Sequence, residues 1–219
     1  MTTIIAFTGK AGSGKDTAAK IMQEQMLQRD PTVKTAFMSF ASPIKKAVAA
    51  ILGCDVGCFD ERKFKEGSLV NSHGLDTSPR QMMQLLGDEY GRQMISEDIW
   101  IETAHNTLMD ACNDGADFVF LTDLRYDNEQ TWVLENGGVV VDVHRESINH
   151  VPTHASENGL SKPPCHTIRN YWAMDDLSKE TLIIVRRIQD NASTHRTSID
   201  DCSPSEWDKV AKTWCERYS

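Results

Sequence analysis

The chain has 219 residues, 40% of them hydrophobic and 25% charged, a globular composition that excludes intrinsic disorder. Lys+Arg is 23 against 32 for Asp+Glu, a formal net charge of −9, which argues against sequence-independent binding to nucleic acid polymers or anionic membranes but leaves room for a local basic pocket. No apolar run reaches the roughly 18–20 residues of a membrane helix. MTTIIAFTGK lacks a basic n-region, and the 6 cysteines are scattered, so a cytoplasmic protein with reduced thiols is expected.

The pattern predicts an α/β fold. Ile4–Phe7 reads as a buried strand, Lys15–Gln28 as a helix stopped by Arg29-Asp30-Pro31, and Val33–Phe40 as a second strand. Strand, helix and strand at this spacing form a βαβ unit, so the sheet should be parallel. Ser42-Pro43 opens a helix through Leu52, and residues 53–77 read as a loop-rich insertion. Ser78-Pro79-Arg80-Gln81 carries a capping box with Pro at the first helical position. Ser96 is expected to cap the next helix, with Trp100, Ala104, Leu108 and Ala111 on one face. Phe118–Leu121 and Val139–Val143 read as buried strands around a helix over Asn128–Glu135. His166–Arg169 is a short last strand and Leu177–Gln189 a helix. A second capping box, Ser203-Pro204-Ser205-Glu206, precedes Trp207, Val210, Ala211 and Trp214 on one helical face, which marks either a docked terminal helix or a homodimer contact.

Gly9-Lys10-Ala11-Gly12-Ser13-Gly14-Lys15 matches the first seven positions of G-x-x-x-x-G-K-[ST]. Glycines let the loop curl so that backbone N–H groups converge on a phosphate, the following helix adds its N-terminal dipole, and Lys15 supplies a mobile charge for the β- and γ-phosphates. The eighth position departs from the pattern: Asp16 stands where Ser or Thr usually holds Mg²⁺, and Thr17 follows. The metal is then held by Asp16 through water or in part by Thr17. The flanking strand and helix argue against an unliganded glycine turn.

Phe118–Leu121 leads through Thr122 to Asp123, which at the carboxyl edge of a parallel sheet would face the phosphate loop and orient Mg²⁺ or the acceptor. Arg125 follows. Arg80 and Arg92 are twelve positions apart, about 18 Å on one continuous helix, so both reach one small ligand only if the helix breaks, at Gly87 or Gly91. Cys54 and Cys58 lack a partner pair for zinc, and Cys165-His166 is poor metal geometry. Lys45-Lys46 reads as a solvated helix face, and Met82-Met83 and Met94 as core or pocket lining.

The chain resembles the phage-type deoxynucleoside monophosphate kinase family. The resemblance is carried by Gly-Lys-Ala-Gly-Ser-Gly-Lys-Asp-Thr at 9–17, Phe-Ala-Ser-Pro-Ile-Lys at 40–45 and Ser-Pro-Arg at 78–80. It continues with Leu-Gly-Asp-Glu-Tyr-Gly-Arg at 86–92, Asp-Ile-Trp at 98–100, Thr-Asp-Leu-Arg-Tyr-Asp-Asn-Glu at 122–129 and His-Ala-Ser-Glu at 154–157. These cover residues 4 to about 189 in family order, and Gly-Lys-Asp-Thr is itself a family habit. The resemblance implies a P-loop kinase of adenylate-kinase-like fold, with helices on both faces of a parallel sheet of about five strands. It also implies transfer of the ATP γ-phosphoryl, with Mg²⁺, to a deoxynucleoside monophosphate.

By position, residues 9–17 and Arg145 would bind ATP; Lys45, Arg80, Arg92, Arg125 and Glu157 the monophosphate; Lys15, Asp16, Asp123 and Arg125 would serve transfer; and Asp16, Thr17 and Asp123 the metal. His154 is kept beside Glu157. Residues 1–189 would form the kinase domain, with a monophosphate-binding insertion at 43–97, a lid at 145–165 and an extension from 190 to 219. The alternatives are another small-molecule P-loop kinase, of phosphomevalonate or dephospho-coenzyme A type, and a non-catalytic nucleotide switch. No Asn-Lys-x-Asp signature supports a GTPase.

Overall fold

The structure, a computed structural model, describes residues 2–69, 73–146, 159–171 and 173–199. Five strands form one all-parallel sheet: β1 (Thr3–Thr8), β2 (Thr35–Met38), β3 (Phe118–Leu121), β4 (Val139–His144) and β5 (His166–Arg169), in the order β2-β3-β1-β4-β5. The architecture is that of an α/β P-loop kinase. β1 is central, pairing with β3 through Ile5↔Phe120 and with β4 through Phe7↔Val141. The loop leaving β1 therefore emerges at the middle of the sheet's carboxyl edge, where open α/β sheets bind ligands.

Strands buried on both faces must be apolar at every position, which is why they read as short continuous runs. Ile5, Phe7, Phe118, Phe120, Val141, Val143 and Ile168 point to one face. They pack on α1 (Lys15–Arg29) and on α7 (Met174–Ile199), through Ala18, Met22 and Met26 of the first and Leu177, Ile184 and Val185 of the second. Ile4, Ala6, Val119, Leu121 and Val140 alternate to the other face, against α5 (Ile99–Asn113) and α6 (Asp127–Glu135). Gln25 Nε2 donates to the Ser178 carbonyl at 2.7 Å and so ties α1 to α7.

A separate apolar cluster joins α2 (Ser42–Leu52), a 3₁₀ turn (Val56–Asp60), α3 (Arg62–Glu66) and α4 (Pro79–Gln84) through Val48, Leu52, Phe59, Phe64, Met82 and Met83. The stretch expected as loop is thus partly helical: Asp55 caps the turn by accepting from Gly57 N at 2.7 Å, and Phe59 is buried. The predicted capping box is present, with Ser78 Oγ accepting from Gln81 N and Gln81 Oε1 from Ser78 N. Met94, expected in core or pocket lining, is exposed. Ser96 does not cap α5. Its hydroxyl and carbonyl accept from Asp98 N and Ile99 N in the turn before the helix.

The helix after Ser78 does not break at its glycines. From Leu85 to Ile95 it widens into a π-helix. Close packing explains the glycines: a Cβ on Gly91 would lie 2.5 Å from the Trp100 ring and one on Gly87 2.9 Å from Ile44 Cδ1, while Trp100 Nε1 donates to the Gly87 carbonyl at 2.6 Å. The last helix runs past Gln189 to Ile199. The second capping box and the Trp207–Trp214 face lie outside the described residues, as do His154 and Glu157. Among the described residues, no helix is long and apolar enough to cross a membrane.

Candidate active site

The phosphate loop joins β1 to α1. Gly9, Gly12 and Gly14 adopt φ of 131°, 78° and 99°, the positive region that side chains with a Cβ disfavour. Space is equally restrictive, since a Cβ at Gly9 would lie 2.5 Å from the Val143 carbonyl oxygen and one at Gly14 would lie 2.6 Å from Asn170 Nδ2. Lys15 is buried, and its Nζ donates to the carbonyls of Gly9 at 2.7 Å and Lys10 at 2.9 Å. Burial first, then the charge of Arg125, lower its pKa to about 8, with Asp16, Asp123 and Asp142 pulling the other way. Ser13 Oγ is fully buried without a hydrogen-bond partner among the described residues. An orphaned hydroxyl inside a glycine-rich loop at a helix N-terminus fits an anion. Lys10, Asp16 and Thr17 are exposed at the loop and the first turn of α1, and Ala11 is half-buried.

Two side chains brace the loop from the ends of neighbouring strands. Arg145, just beyond β4, donates from Nη1 to the Gly12 carbonyl at 3.0 Å. Asn170, just beyond β5, donates from Nδ2 to the Ser13 carbonyl at 2.8 Å. Both bonds fix carbonyls of the loop, and Ser13 N closes a turn within it by donating to the Lys10 carbonyl at 3.1 Å. Sequence reasoning found Arg145 and missed Asn170 and Asp142. Asp142 was visible as the lone acid in the Val139–Val143 run; Asn170 had no local signal.

The insertion carries a group of cations, Lys45, Lys65 and Arg80. Burial, followed by the charges of Lys45, Arg80 and Arg125, pushes Lys65 below its ordinary pKa. Lys65 on α3 therefore belongs with those three residues, although no local pattern distinguishes it from Lys63. Lys45 Nζ lies 4.0 Å from Asp60 Oδ1, and Arg80 Nη1 lies 3.6 Å from Glu66 Oε1. Arg125 and Asp16 both lie within electrostatic reach of Lys15 and of Lys65, Arg125 disfavouring their charged forms and Asp16 favouring them.

The turn from β3 to α6 is held by two carboxylates. Asp123 accepts from Ser39 Oγ at 2.8 Å, Phe40 N at 3.0 Å and Ala41 N at 2.8 Å, which fixes the chain entering α2. A metal or an acceptor there would share oxygens that these donors already occupy. Glu129 is buried and accepts from Arg125 N at 2.9 Å and Tyr126 N at 3.1 Å through Oε2, and from Arg92 Nη2 at 2.5 Å through Oε1. Burial lifts its pKa to about 7 against the opposing pull of Arg92 and the two amides. Arg92 is itself buried, donates from Nη1 to the Glu97 carbonyl at 2.9 Å, and lies 3.8 Å from the centre of the Tyr126 ring. The structure thus brings Lys45, Arg80 and Arg125 together, whereas the Arg92 guanidinium is engaged by Glu129.

The three hydrogen bonds to Asp123 are charge-assisted, so Asp123→Ala should cost about 3 kcal/mol of stability. Urea unfolding without nucleotide or Mg²⁺ checks this; a loss below about 0.5 kcal/mol would contradict an anchoring role for Asp123.

Residues 55–181, more than half of the chain and a span that includes Arg80, Arg92, Asp123, Arg125 and Glu129, match the family model for deoxynucleotide monophosphate kinase. The chain is 26% identical to the deoxynucleoside-5'-monophosphate kinase of Escherichia phage T5, over 73% of this chain and 86% of that protein. It is also 26% identical to a provisionally named deoxynucleotide monophosphate kinase of Acanthamoeba polyphaga mimivirus, over 70% of this chain and 80% of that protein. With a glycine loop following the central strand of a parallel sheet and the family model matching more than half of its length, the chain belongs to the deoxynucleotide monophosphate kinase family.

Proposed function

We propose that the protein transfers the γ-phosphoryl of ATP to the phosphate of a deoxynucleoside monophosphate, with the donor in the 9–17 loop and the acceptor phosphate among Lys45, Lys65, Arg80 and Arg125. The observation that supports this reading is that the charge of Arg125 acts both on Lys15 of the loop and on Lys65 of the insertion. A protein that only bound or hydrolysed a nucleotide would have no use for a second cationic group facing the first. The bond between the γ-phosphorus and the bridging oxygen breaks, a bond from that phosphorus to an acceptor phosphate oxygen forms, and ADP leaves. This chemistry needs alignment and charge neutralisation more than covalent help. Lys15 neutralises the donor's β- and γ-oxygens, Arg80 and Lys45 hold the acceptor, and Arg125 spans the charge that moves between them. Arg145 acts from the donor side through the loop it braces.

Mg²⁺ fits as a shared ligand rather than a caged one. No group of three His, Cys, Asp or Glu among the described residues could hold a metal, while Asp16 and Thr17 stand exposed beside the loop. That donor set suits a hard cation that keeps waters and takes most of its oxygens from phosphate. When bound, it would screen the charge on the β- and γ-phosphates. Substrates of this kind are soluble anions, in keeping with a cytoplasmic protein, a host's cytoplasm where a phage carries the gene.

A panel of deoxynucleoside, ribonucleoside and non-nucleotide monophosphates, scored by ADP release, tests the reading. Acceptor-dependent release with at least one deoxynucleoside monophosphate is expected. Slow release indifferent to every acceptor would overturn it, and a preference for a non-nucleotide acceptor would move the protein to another substrate.

For Arg80, the bidentate fork is what lysine cannot replace. Arg80→Lys should raise the KM for the monophosphate roughly 10–150-fold, the equivalent of about 1.5–3 kcal/mol, with the KM for ATP near wild type. Steady-state titration of each substrate decides this. A larger change in the ATP term would put Arg80 on the donor side.

A further inference from the structure

We propose that Glu129 is a positioning residue of phosphoryl transfer: its buried carboxylate, bonded to the Arg125 amide, the Tyr126 amide and the Arg92 guanidinium, fixes the backbone that presents Arg125 between donor and acceptor. The proposal rests on the transfer role assigned above to Arg125, and adds that this role depends on Arg92 and Glu129, neither of which need touch a substrate.

The geometry distinguishes this arrangement from an ordinary helix cap. A Glu at the third position of a helix commonly accepts from the cap residue's amide, which here is Tyr126 N at 3.1 Å. Glu129 also reaches one residue further, to Arg125 N at 2.9 Å. It thereby fixes the backbone of the residue whose charge acts on both Lys15 and Lys65. Its second oxygen is taken by Arg92 Nη2 at 2.5 Å.

Arg92 is in turn held from several sides: by the Glu97 carbonyl at 2.9 Å, by Asn128 Oδ1 at 3.3 Å and by the face of Tyr126 at 3.8 Å. Asn128 donates to Asp98 Oδ1 at 2.8 Å, so the start of α5 joins the same network. The π-helix carrying Arg92 thus connects to the turn carrying Arg125 through one carboxylate. The remaining charged neighbour is Asp123, whose negative charge opposes ionisation of Glu129. Displacing that carboxylate would free the Arg125 backbone and leave the buried Arg92 without its counter-ion.

A double-mutant cycle between Glu129→Gln and Arg125→Ala tests this, run at pH 8, above the point to which burial lifts the Glu129 carboxyl, with kcat, both KM values and Tm measured for each variant. Glu129→Gln alone should lower kcat roughly 10-fold or more, with smaller changes in either KM. In the Arg125→Ala background the same change should cost less than about 2-fold, because the group it positions is already gone. Tm should fall by similar amounts in both backgrounds. Equal fold-losses in both backgrounds would make Glu129 merely structural and overturn the inference, as would an unchanged kcat in Glu129→Gln.

If Glu129→Gln does not fold, Glu129→Asp, which keeps the charge but withdraws it by one methylene, enters the same cycle. Arg125→Ala alone separates the two claims. If that variant is fully active, the transfer assignment of Arg125 fails and the positioning role falls with it. If it is impaired while the cycle is additive, only the positioning role fails.

Discussion

A buried ammonium group calls for an anion, and the architecture of this protein centres on the place where that anion would lie. Lys15 sits at the end of the central strand with loop carbonyls accepting from it, and burial together with Arg125 already lowers its pKa to about 8. A cation desolvated beside another cation is costly, and in a stable fold such an arrangement points to a charged ligand. The loop around it is suited to such a ligand, with three glycines at positive φ, an orphaned serine hydroxyl, and carbonyls bonded by Arg145 and Asn170.

The rest of the fold holds that charge in register with the second cationic group. The sheet gives the loop a rigid base, because β1 is paired on both sides and packed on both faces. The insertion has its own small apolar cluster, so Lys45, Lys65 and Arg80 stand on helices that pack against one another. Between the two lies the segment from Asp123 to Glu129. Asp123 ties the turn into α2, and Glu129 ties the π-helix beyond α4. A seven-residue stretch that includes Arg125 thereby ties the insertion to the sheet.

Elements whose cause is local were legible in the sequence. The strands appear as apolar runs, the phosphate loop as a glycine spacing between strand and helix, and the start of α4 as Ser78, Pro79 and Gln81. The features that were not legible depend on partners distant in the chain. Gly87 and Gly91 suggested a helix break, but they make room for Ile44 and for the Trp100 ring, and the helix widens instead of breaking. Arg92 carried the residue type of a phosphate ligand, yet its nearest anion is Glu129, and no periodicity links positions so far apart. Asp123 looked like an open carboxylate until the amides of Phe40 and Ala41 folded onto it. The helicity of residues 56–66 was hidden because two short turns are too brief to display a period.

The central claim is that donor and acceptor phosphates occupy adjoining cationic groups bridged by Arg125. The most direct measurement is the affinity of a two-headed analogue, adenosine joined to a deoxynucleoside through five phosphates, compared with ATP and with the monophosphate alone. Linking two ligands that occupy neighbouring sites raises affinity by orders of magnitude without any new contact, roughly 10²–10⁴-fold. The account predicts an enhancement of that size and competition with both substrates. An analogue that binds no more tightly than ATP and leaves the monophosphate undisturbed would contradict it.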